Sequence, residues 1–201
     1  MMCIEKMQYF TECQKHINLH ENLKQKIGMN IWKAVIDRVI SLLPDYDVAV
    51  AQEGPDKTYF SGIFRAINDS TPIHCDWAPY DSRTEDWVIN QVTQQAVFNL
   101  YLTPVKGGKT EVHDCQWTED AMEFRDRSSY GYSEKLVENR KTAVIQPGAA
   151  DLCIFNSRNM HQVFPVEKED GKQRSRLTLS SFMGLIPAKG PSERPKLILW
   201  S

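Results

Sequence analysis

Residues 142–183, TAVIQPGAADLCIFNSRNMHQVFPVEKEDGKQRSRLTLSSFM, alternate short apolar runs with turn-forming residues. Pro147-Gly148 and Asp170-Gly171 are typical turn pairs. The runs on either side are rich in β-branched and aromatic residues, which favour strands: Thr142–Gln146, Leu152–Asn156, Gln162–Val166 and Arg176–Met183. The same texture recurs upstream in Val48–Ala51, Tyr59–Ile67, Ala96–Leu102 and Thr110–His113. Eight short strands with this punctuation predict an antiparallel sandwich or jelly roll rather than a sheet of βαβ units.

The first 45 residues have a different, helical pattern. Between Asn22 and Leu43 the apolar residues recur at steps of three and four, and Pro44 ends the run. We therefore predict a single domain over residues 1–201. It consists of a helical support region (1–45), a β core (46–190) and a C-terminal tail (191–201). The charged segment Thr118–Asn139 is expected to be a helical excursion or an insert.

The composition is that of a globular protein with a substantial core. Of 201 residues, 41% are hydrophobic and 25% charged, which excludes a disordered chain. The net charge of −2 gives no positive excess for nucleic acid or an anionic membrane. No apolar stretch approaches the roughly 18 residues of a membrane span, and no signal peptide is evident at the start. Five dispersed cysteines without a CxxC pair indicate reduced thiols, so we expect a cytoplasmic protein.

Three residues form the best candidate metal site. In His74-Cys75-Asp76 the first and third side chains would share one face of a strand, and His161 follows 85 residues after Asp76. Two histidines and one carboxylate occupy one face of an octahedral iron(II) and leave three positions for a chelating oxoacid and dioxygen. An inward-facing arginine on a neighbouring strand would pair with the far carboxylate of that oxoacid, and Arg174 and Arg176 are both candidates.

Two other pairs of residues, each containing histidine, are weaker candidates for a metal site. His16 and His20 would share a helix face, but His16, the first of the pair, is flanked by Lys15 and Ile17 and not by the glutamate of a zinc protease. Glu111 and His113 would share a strand face, as in a zinc hydrolase, although solvent exposure is the simpler interpretation.

The order of several short motifs carries a family resemblance. Asn99-Leu100-Tyr101-Leu102 leads to Gly107-Gly108; then come Gln146-Pro147-Gly148, His161 with Pro165-Val166, and Arg176-Leu177-Thr178-Leu179-Ser180. With His74-Cys75-Asp76, this set resembles the iron(II)/2-oxoglutarate-dependent oxygenases, in the branch similar to prolyl 4-hydroxylases, over about Tyr59 to Pro187. The resemblance implies a mainly β fold with a helical flank: a double-stranded β-helix with the N-terminal helices packed on its outer sheet.

The resemblance also implies the cofactors and the residues that hold them. Iron(II) would bind His74, Asp76 and His161, with 2-oxoglutarate and O2 as cosubstrates. Arg176, assisted by Ser180, would hold the 5-carboxylate of 2-oxoglutarate, and Arg174 is the alternative. Tyr101 would contact the same carboxylate, and Asn99 would face the same cavity.

Residues near the candidate metal site indicate the type of reaction and of substrate. Halogenases similar to this family have Gly or Ala at the position of Asp76, so its carboxylate favours hydroxylation, desaturation or ring closure. Arg65 is a candidate partner for a substrate carboxylate, and Trp77 is a candidate wall of the substrate pocket. We expect a small molecule, such as an amino acid or an alkaloid-type natural-product intermediate. The alternatives are a protein side-chain hydroxylase of the prolyl type and a non-catalytic, cupin-like metal-binding domain.

Overall fold

The computed structural model describes residues 4–168, 171 and 175–201, and the predicted fold class is confirmed: the chain is mainly β with helices at its N-terminus. The helices are α1 (Ile4–His16), α2 (Leu19–Ile27), α3 (Ile31–Leu42) and the short α4 (Ala78–Asp81). The strands are β1 (Asp47–Val50), β2 (Ile63–Ala66), β3 (Thr71–His74), β4 (Gln94–Tyr101), β5 (Thr110–Gln116), β6 (Thr142–Ile145), β7 (Leu152–Phe155), β8 (Asn159–Val163), β9 (Leu177–Ile186) and β10 (Lys196–Trp200). Within these described ranges, every helix is too short or too polar to cross a membrane.

Local capping divides the N-terminal apolar run into two helices. α2 ends at Gly28, whose left-handed backbone (φ 79°) lets its N–H bond the Lys24 carbonyl. α3 begins after Asn30, whose side chain accepts a hydrogen bond of 2.9 Å from the Lys33 N–H. The helical periodicity therefore continues across a break at residues 28–30.

The contacts between residues divide the chain into two compact units, and the first comprises Met1–Ile63, Ala78–Gln94 and Ser181–Ser201. In this unit β10 pairs in parallel with β1 and antiparallel with the second part of β9. The C-terminal segment, expected to be a tail, thus contains a strand that is buried from Leu197 to Trp200. The close approach of Trp200 requires Gly184, because a Cβ there would lie 2.8 Å from the indole ring.

Helix α1 packs within the first unit through an aromatic cluster and a buried ion pair. Phe10 packs edge-on against Tyr59, with ring centroids 5.2 Å apart. Beside this contact, Lys6 Nζ lies 2.5 Å from a carboxylate oxygen of Glu53. The same carboxylate accepts hydrogen bonds from the Tyr59 hydroxyl (2.5 Å) and the Val88 N–H (2.9 Å). Burial acts to raise the pKa of Glu53, but these donors more than offset it and lower the pKa below its usual value.

The second unit comprises Phe64–Trp77 and Gln95–Ser180 and contains two sheets. One sheet has the order β3-β8-β5-β6, with all three pairings antiparallel. In the other, β4 pairs antiparallel with β7 and lies next to the first part of β9, which also pairs with β2. Side chains of the two sheets meet between them: Tyr101 of β4 contacts Thr110 of β5, and Phe155 of β7 lies 5.1 Å from His161 of β8. This is the predicted jelly-roll arrangement.

The segment Thr118–Asn139 belongs to the second unit and contains two short 3-10 helices, Glu119–Phe124 and Glu134–Leu136. The predicted helical excursion therefore takes the form of tight single turns. Trp117, just before the segment, donates a hydrogen bond of 2.9 Å to the Tyr132 hydroxyl, and both side chains are buried. This contact fastens the segment to the sheet it leaves.

Candidate metal centre

Strand pairing in the second unit brings His74, Asp76 and His161 together. His74 ends β3, and His161 stands directly opposite it on β8, with the two ring centroids 4.2 Å apart. Asp76 follows two residues after His74, and its carboxylate lies 3.4 Å from His161 Nε2. One potential ligand atom from each residue lies within 4.8 Å of the other two. Among the described residues this is the one such cluster of His, Cys, Asp or Glu side chains.

Main-chain carbonyls orient both imidazoles. His74 Nδ1 lies 2.9 Å from the carbonyl of Pro72, and His161 Nδ1 lies 2.8 Å from the carbonyl of Asn159. A carbonyl oxygen can only accept, so each Nδ1 donates its proton there and Nε2 is the ring nitrogen left for a metal. Metal-binding histidines are commonly held this way, which fixes both the tautomer and the ring plane.

Three hydrogen bonds fix the backbone of Asp76, which lies beyond the end of β3. Its N–H donates to the Ser157 carbonyl at 2.9 Å. Its own carbonyl accepts from Ser157 Oγ and from Gln95 Nε2, both at 3.1 Å. Ser157 has no solvent exposure and Gln95 is also buried. The carboxylate is thereby positioned as firmly as a residue within a strand.

The electrostatics of the cluster favour a bound cation. Burial acts to raise the pKa of Asp76, but the hydrogen bond and charge of His161, with the charges of His74 and Arg65, lower it below its ordinary value. The pKa of His74 is lowered, chiefly by burial and then by repulsion from His161. At neutral pH the cluster thus presents one carboxylate and a neutral His74. Two imidazoles and one carboxylate with open positions are the donor set typical of non-haem iron(II).

The guanidinium of Arg176 is a second feature of this unit that suits a ligand, in this case an anion. Its backbone N–H donates to Asn68 Oδ1 at 3.0 Å, which fixes the residue at the start of β9. The guanidinium is buried and donates through Nη1 to the Gly108 carbonyl at 3.1 Å, while Nε has no hydrogen-bond partner among the residues that the structure describes. Burial lowers the pKa of Arg176. A buried guanidinium whose one hydrogen bond goes to a neutral carbonyl is costly, and a carboxylate ligand would compensate it.

The predicted neighbours of Arg176 occupy the same unit. Ser180 Oγ lies 2.6 Å from Asn99 Oδ1 and 3.1 Å from the Thr178 hydroxyl, so these polar groups form a network. Tyr101 is buried, and burial raises the pKa of its hydroxyl, which bonds to Thr110. The negative charge that this hydroxyl would carry interacts with Arg176, which places the two close together. Arg174, the alternative to Arg176, lies outside the described residues.

The two residues predicted to contact the substrate differ in their surroundings. Arg65, in β2, has its Nε buried without a partner among the described residues. Trp77 directly follows Asp76, is 8% exposed, and lies under the guanidinium of Arg158, which is 4.8 Å from its ring centroid. Trp77 is therefore held by a cation–π contact.

Sequence reasoning missed three residues that contact the metal cluster. Ser157 and Gln95 are the backbone clamp of Asp76, and Tyr130 places its exposed ring edge-on to His74, with centroids 5.4 Å apart. Tyr130 lies in the charged segment that was expected only as an excursion. No sequence signal marks these residues, because their role depends on contacts between distant segments.

Residues of the two weaker candidate pairs contact other side chains. Glu111 bonds to Lys109 (2.7 Å) and Gln162 (3.0 Å), while His113 Nδ1 lies 2.9 Å from the Thr142 hydroxyl. In the first unit, His20 stacks on Trp32, with ring centroids 5.4 Å apart.

Comparison with known sequences agrees with the geometry. Residues 2–201 match the family model described as carrier-protein-independent halogenase WelO5. The leucinostatins biosynthesis cluster protein S of Purpureocillium lilacinum is 35% identical over 204 residues, which cover 98% of this chain and 80% of that protein. The L-gamma-glutamyl-L-propargylglycine hydroxylase of Streptantibioticus cattleyicolor is 31% identical over 147 residues, which cover 71% of this chain and 48% of the hydroxylase.

Solved structures with the same fold include an N-substituted L-amino acid dioxygenase from Burkholderia ambifaria. Its structure aligns over 96% of this chain and 70% of its own with a TM-score of 0.61. Its complex with alpha-ketoglutarate (2-oxoglutarate) aligns over 77% of this chain and 58% of its own with a TM-score of 0.52. The sequence identity is 15% in both cases, so this likeness establishes the fold alone.

Proposed function

Because the chain belongs to the family of the carrier-protein-independent halogenase WelO5, whose members depend on iron(II) and 2-oxoglutarate, we propose that His74, Asp76 and His161 hold the iron. The protein is an iron(II)- and 2-oxoglutarate-dependent oxygenase. Arg176 is the proposed partner of the distal carboxylate of 2-oxoglutarate. The donor set of the cluster and the buried, incompletely paired guanidinium both support this assignment.

Each residue has a defined task in this proposal. The two histidines offer Nε2 because their Nδ1 protons are donated to the carbonyls of Pro72 and Asn159. Asp76 supplies the anionic ligand, and Arg176 fixes one end of the cosubstrate through charge-assisted hydrogen bonds. Iron with 2-oxoglutarate and O2 supplies the oxidising power for an unactivated C–H bond, while the protein orients the reactants and excludes water.

We propose that the reaction is hydroxylation, desaturation or ring closure rather than halogenation. The single observation that carries this proposal is the carboxylate of Asp76, which lies 3.4 Å from His161 Nε2 within the cluster. A carboxylate at this place takes the coordination position that a halogenase leaves to chloride. The relative named as a hydroxylase belongs to the same group of similar proteins and supports the same reaction class.

The substrate is a small molecule, and we propose an amino acid or a natural-product intermediate. One relative is named for a biosynthesis cluster of leucinostatins, and another for a γ-glutamyl amino acid that it hydroxylates. Arg65 and Trp77 remain the proposed substrate contacts. We further propose a cytoplasmic location, since none of the four cysteines that the structure describes (Cys13, Cys75, Cys115 and Cys153) is joined in a disulfide.

An anaerobic titration tests the proposal. The metal-free protein is titrated first with iron(II) and then with 2-oxoglutarate, and the visible charge-transfer band of the chelate is followed. A band that saturates at one equivalent of each supports the site, and addition of O2 with substrate should release succinate. Bound iron without a band would instead favour a non-catalytic metal-binding domain. Asp76→Ala and Arg140→Met, an exposed arginine of the same unit, serve as the inactive and the neutral control.

Products are then analysed by mass spectrometry in buffer containing chloride. The proposal expects a mass gain of one oxygen or a loss of two hydrogens. A chlorinated product from the unmodified protein would contradict the role given to Asp76.

A further inference from the structure

A second arginine of the second unit lacks a partner. The Nε of Arg65 is buried, and in the described part of the chain its guanidinium makes no hydrogen bond or ion pair. Its charge helps to lower the pKa of Asp76, although the two side chains form no ion pair. The side chain as a whole is half-buried, and a buried N–H donor without an acceptor costs free energy that an anionic ligand would recover.

Strand register places Arg65 on the same face as the residues proposed for 2-oxoglutarate. Ile67, just after β2, donates its N–H to the carbonyl of Arg176, just before β9, and Ser61 Oγ, before β2, lies 2.8 Å from Ser181 Oγ within β9, so the two paired strands run antiparallel. Counted from this bond, two residues before Ile67 and two after Arg176, Arg65 comes opposite Thr178. Opposite residues in an antiparallel pair project to the same face, and Thr178 is buried beside Ser180. The next residue, Ala66, projects to the other face and is exposed.

The cosubstrate cannot compensate both arginines. 2-Oxoglutarate carries two carboxylates: one chelates the metal together with the keto group, and Arg176 is the partner of the other. The charge of Asp76 is taken up by the metal that it ligates. Arg65 then remains a cation beside the reaction site with no anion assigned to it.

We propose that Arg65 binds a free carboxylate of the substrate, and that the enzyme therefore oxidises carboxylic acids, such as amino acids or N-acyl amino acids, rather than neutral alkaloids. This inference rests on the proposed iron and 2-oxoglutarate site. Arginine presents two parallel N–H donors that match a carboxylate, so the pair anchors one end of the substrate and sets which carbon lies near the metal.

The test compares acids with their methyl esters in a binding measurement. The anaerobic complex with iron(II) and 2-oxoglutarate is titrated with a panel of N-acetyl-L-amino acids and the matched esters, and the shift of the visible band is followed. The same panel is tested by thermal shift on metal-free protein, which requires no band. We expect one or more acids to respond and their esters not to.

Variants then assign the response to Arg65. Arg65→Met should raise the Kd of the best acid by about 10-fold or more, because a charge-assisted pair is lost from a half-buried site. Arg65→Lys keeps the charge but loses the paired donors, so its Kd for the acid should lie between those of the unmodified protein and Arg65→Met. Both variants should bind 2-oxoglutarate with the Kd of the unmodified protein. Arg140→Met should leave the Kd of the acid and that of 2-oxoglutarate unchanged.

The possible outcomes separate this inference from the proposed function. If the band fails to form in the unmodified protein, the proposed function is wrong, and the thermal-shift series still judges Arg65. If the band forms but esters bind as well as acids, or no acid responds in either measurement, the inference is overturned. It is also overturned if Arg65→Met weakens 2-oxoglutarate instead, since Arg65 would then serve the cosubstrate.

Discussion

Replacing Arg176 by methionine should have opposite effects on stability in the absence and in the presence of 2-oxoglutarate. Without the cosubstrate, the guanidinium is buried and its one hydrogen bond goes to the neutral carbonyl of Gly108. Removing an uncompensated buried charge relieves several kcal/mol of desolvation. Leaving the Gly108 carbonyl unpaired costs about 1–3 kcal/mol, and the methionine side chain retains most of the apolar packing. We expect a net stabilisation of about 1 kcal/mol, or about 2–4 °C in melting temperature.

Adding 2-oxoglutarate should reverse this order. With iron(II) under argon and the cosubstrate at 100 times its Kd, the unmodified protein gains about 2.7 kcal/mol. Loss of a buried charge-assisted pair should raise the Kd of the variant by about 30-fold or more, so its gain falls to about 1 kcal/mol or less. The variant that melts higher alone should therefore melt lower than the unmodified protein when both are given 2-oxoglutarate.

The assay is a set of four melting curves, with and without cosubstrate, for the two proteins at constant iron(II). Arg140→Met, on the surface of the same unit, should change each curve by no more than about 0.5 kcal/mol. The reasoning is refuted if Arg176→Met is less stable without 2-oxoglutarate and still gains the full stabilisation with it. Arg176 would then be a structural residue.

Three further changes test other parts of the molecule. Asp76→Ala should weaken iron(II) binding well over tenfold and uncouple succinate release from substrate oxidation; an unchanged iron titration and product ratio would contradict its role. Ser157→Ala should lower stability by only about 1 kcal/mol, because Gln95 still bonds the Asp76 carbonyl, yet reduce the product formed per succinate; equal ratios would show that the clamp is merely structural. Glu53→Gln should cost about 2 kcal/mol at pH 7, measured by urea unfolding, because it breaks a buried pair. Since folding lowers the pKa of Glu53, that stabilisation is present above the ordinary glutamate pKa and is lost as the pH falls through the folded value, so the difference between the two proteins should shrink as the pH is lowered below the ordinary glutamate pKa.

The candidate metal cluster could be predicted in part because two of its three residues are close together in the sequence. The His-x-Asp spacing places two side chains on the same side at the end of β3, and that pattern is visible in the sequence. The third member, His161, was added from the order of the motifs along the chain. Its position opposite His74 depends on the pairing of β3 with β8, which no short-range pattern specifies.

Long-range pairing also explains what the sequence concealed. Lys196–Trp200 follows a Gly- and Pro-rich segment at the chain end and so resembles a tail. It becomes a strand because β1, some 150 residues earlier, pairs alongside it. Ser157 and Gln95 are common polar residues that acquire a role only when folding brings them to the Asp76 carbonyl. Trp77 was expected to line a pocket from its position after the metal motif, and its contact with Arg158 depends on the turn before β8.

The charges around the site give a separate reason to expect an acidic substrate. In the proposed site, Asp76, Arg176 and Arg65 together leave one positive charge, because a histidine that binds a metal does so as the neutral imidazole. Iron(II) adds two positive charges, and 2-oxoglutarate brings two negative ones. The loaded site therefore keeps one positive charge in a region where burial makes an unbalanced charge expensive. A substrate with one free carboxylate restores neutrality, whereas a neutral substrate leaves the excess and a cationic amine increases it. Discrimination of this kind needs no shape-specific pocket, and it should weaken as added salt screens the exposed part of the site.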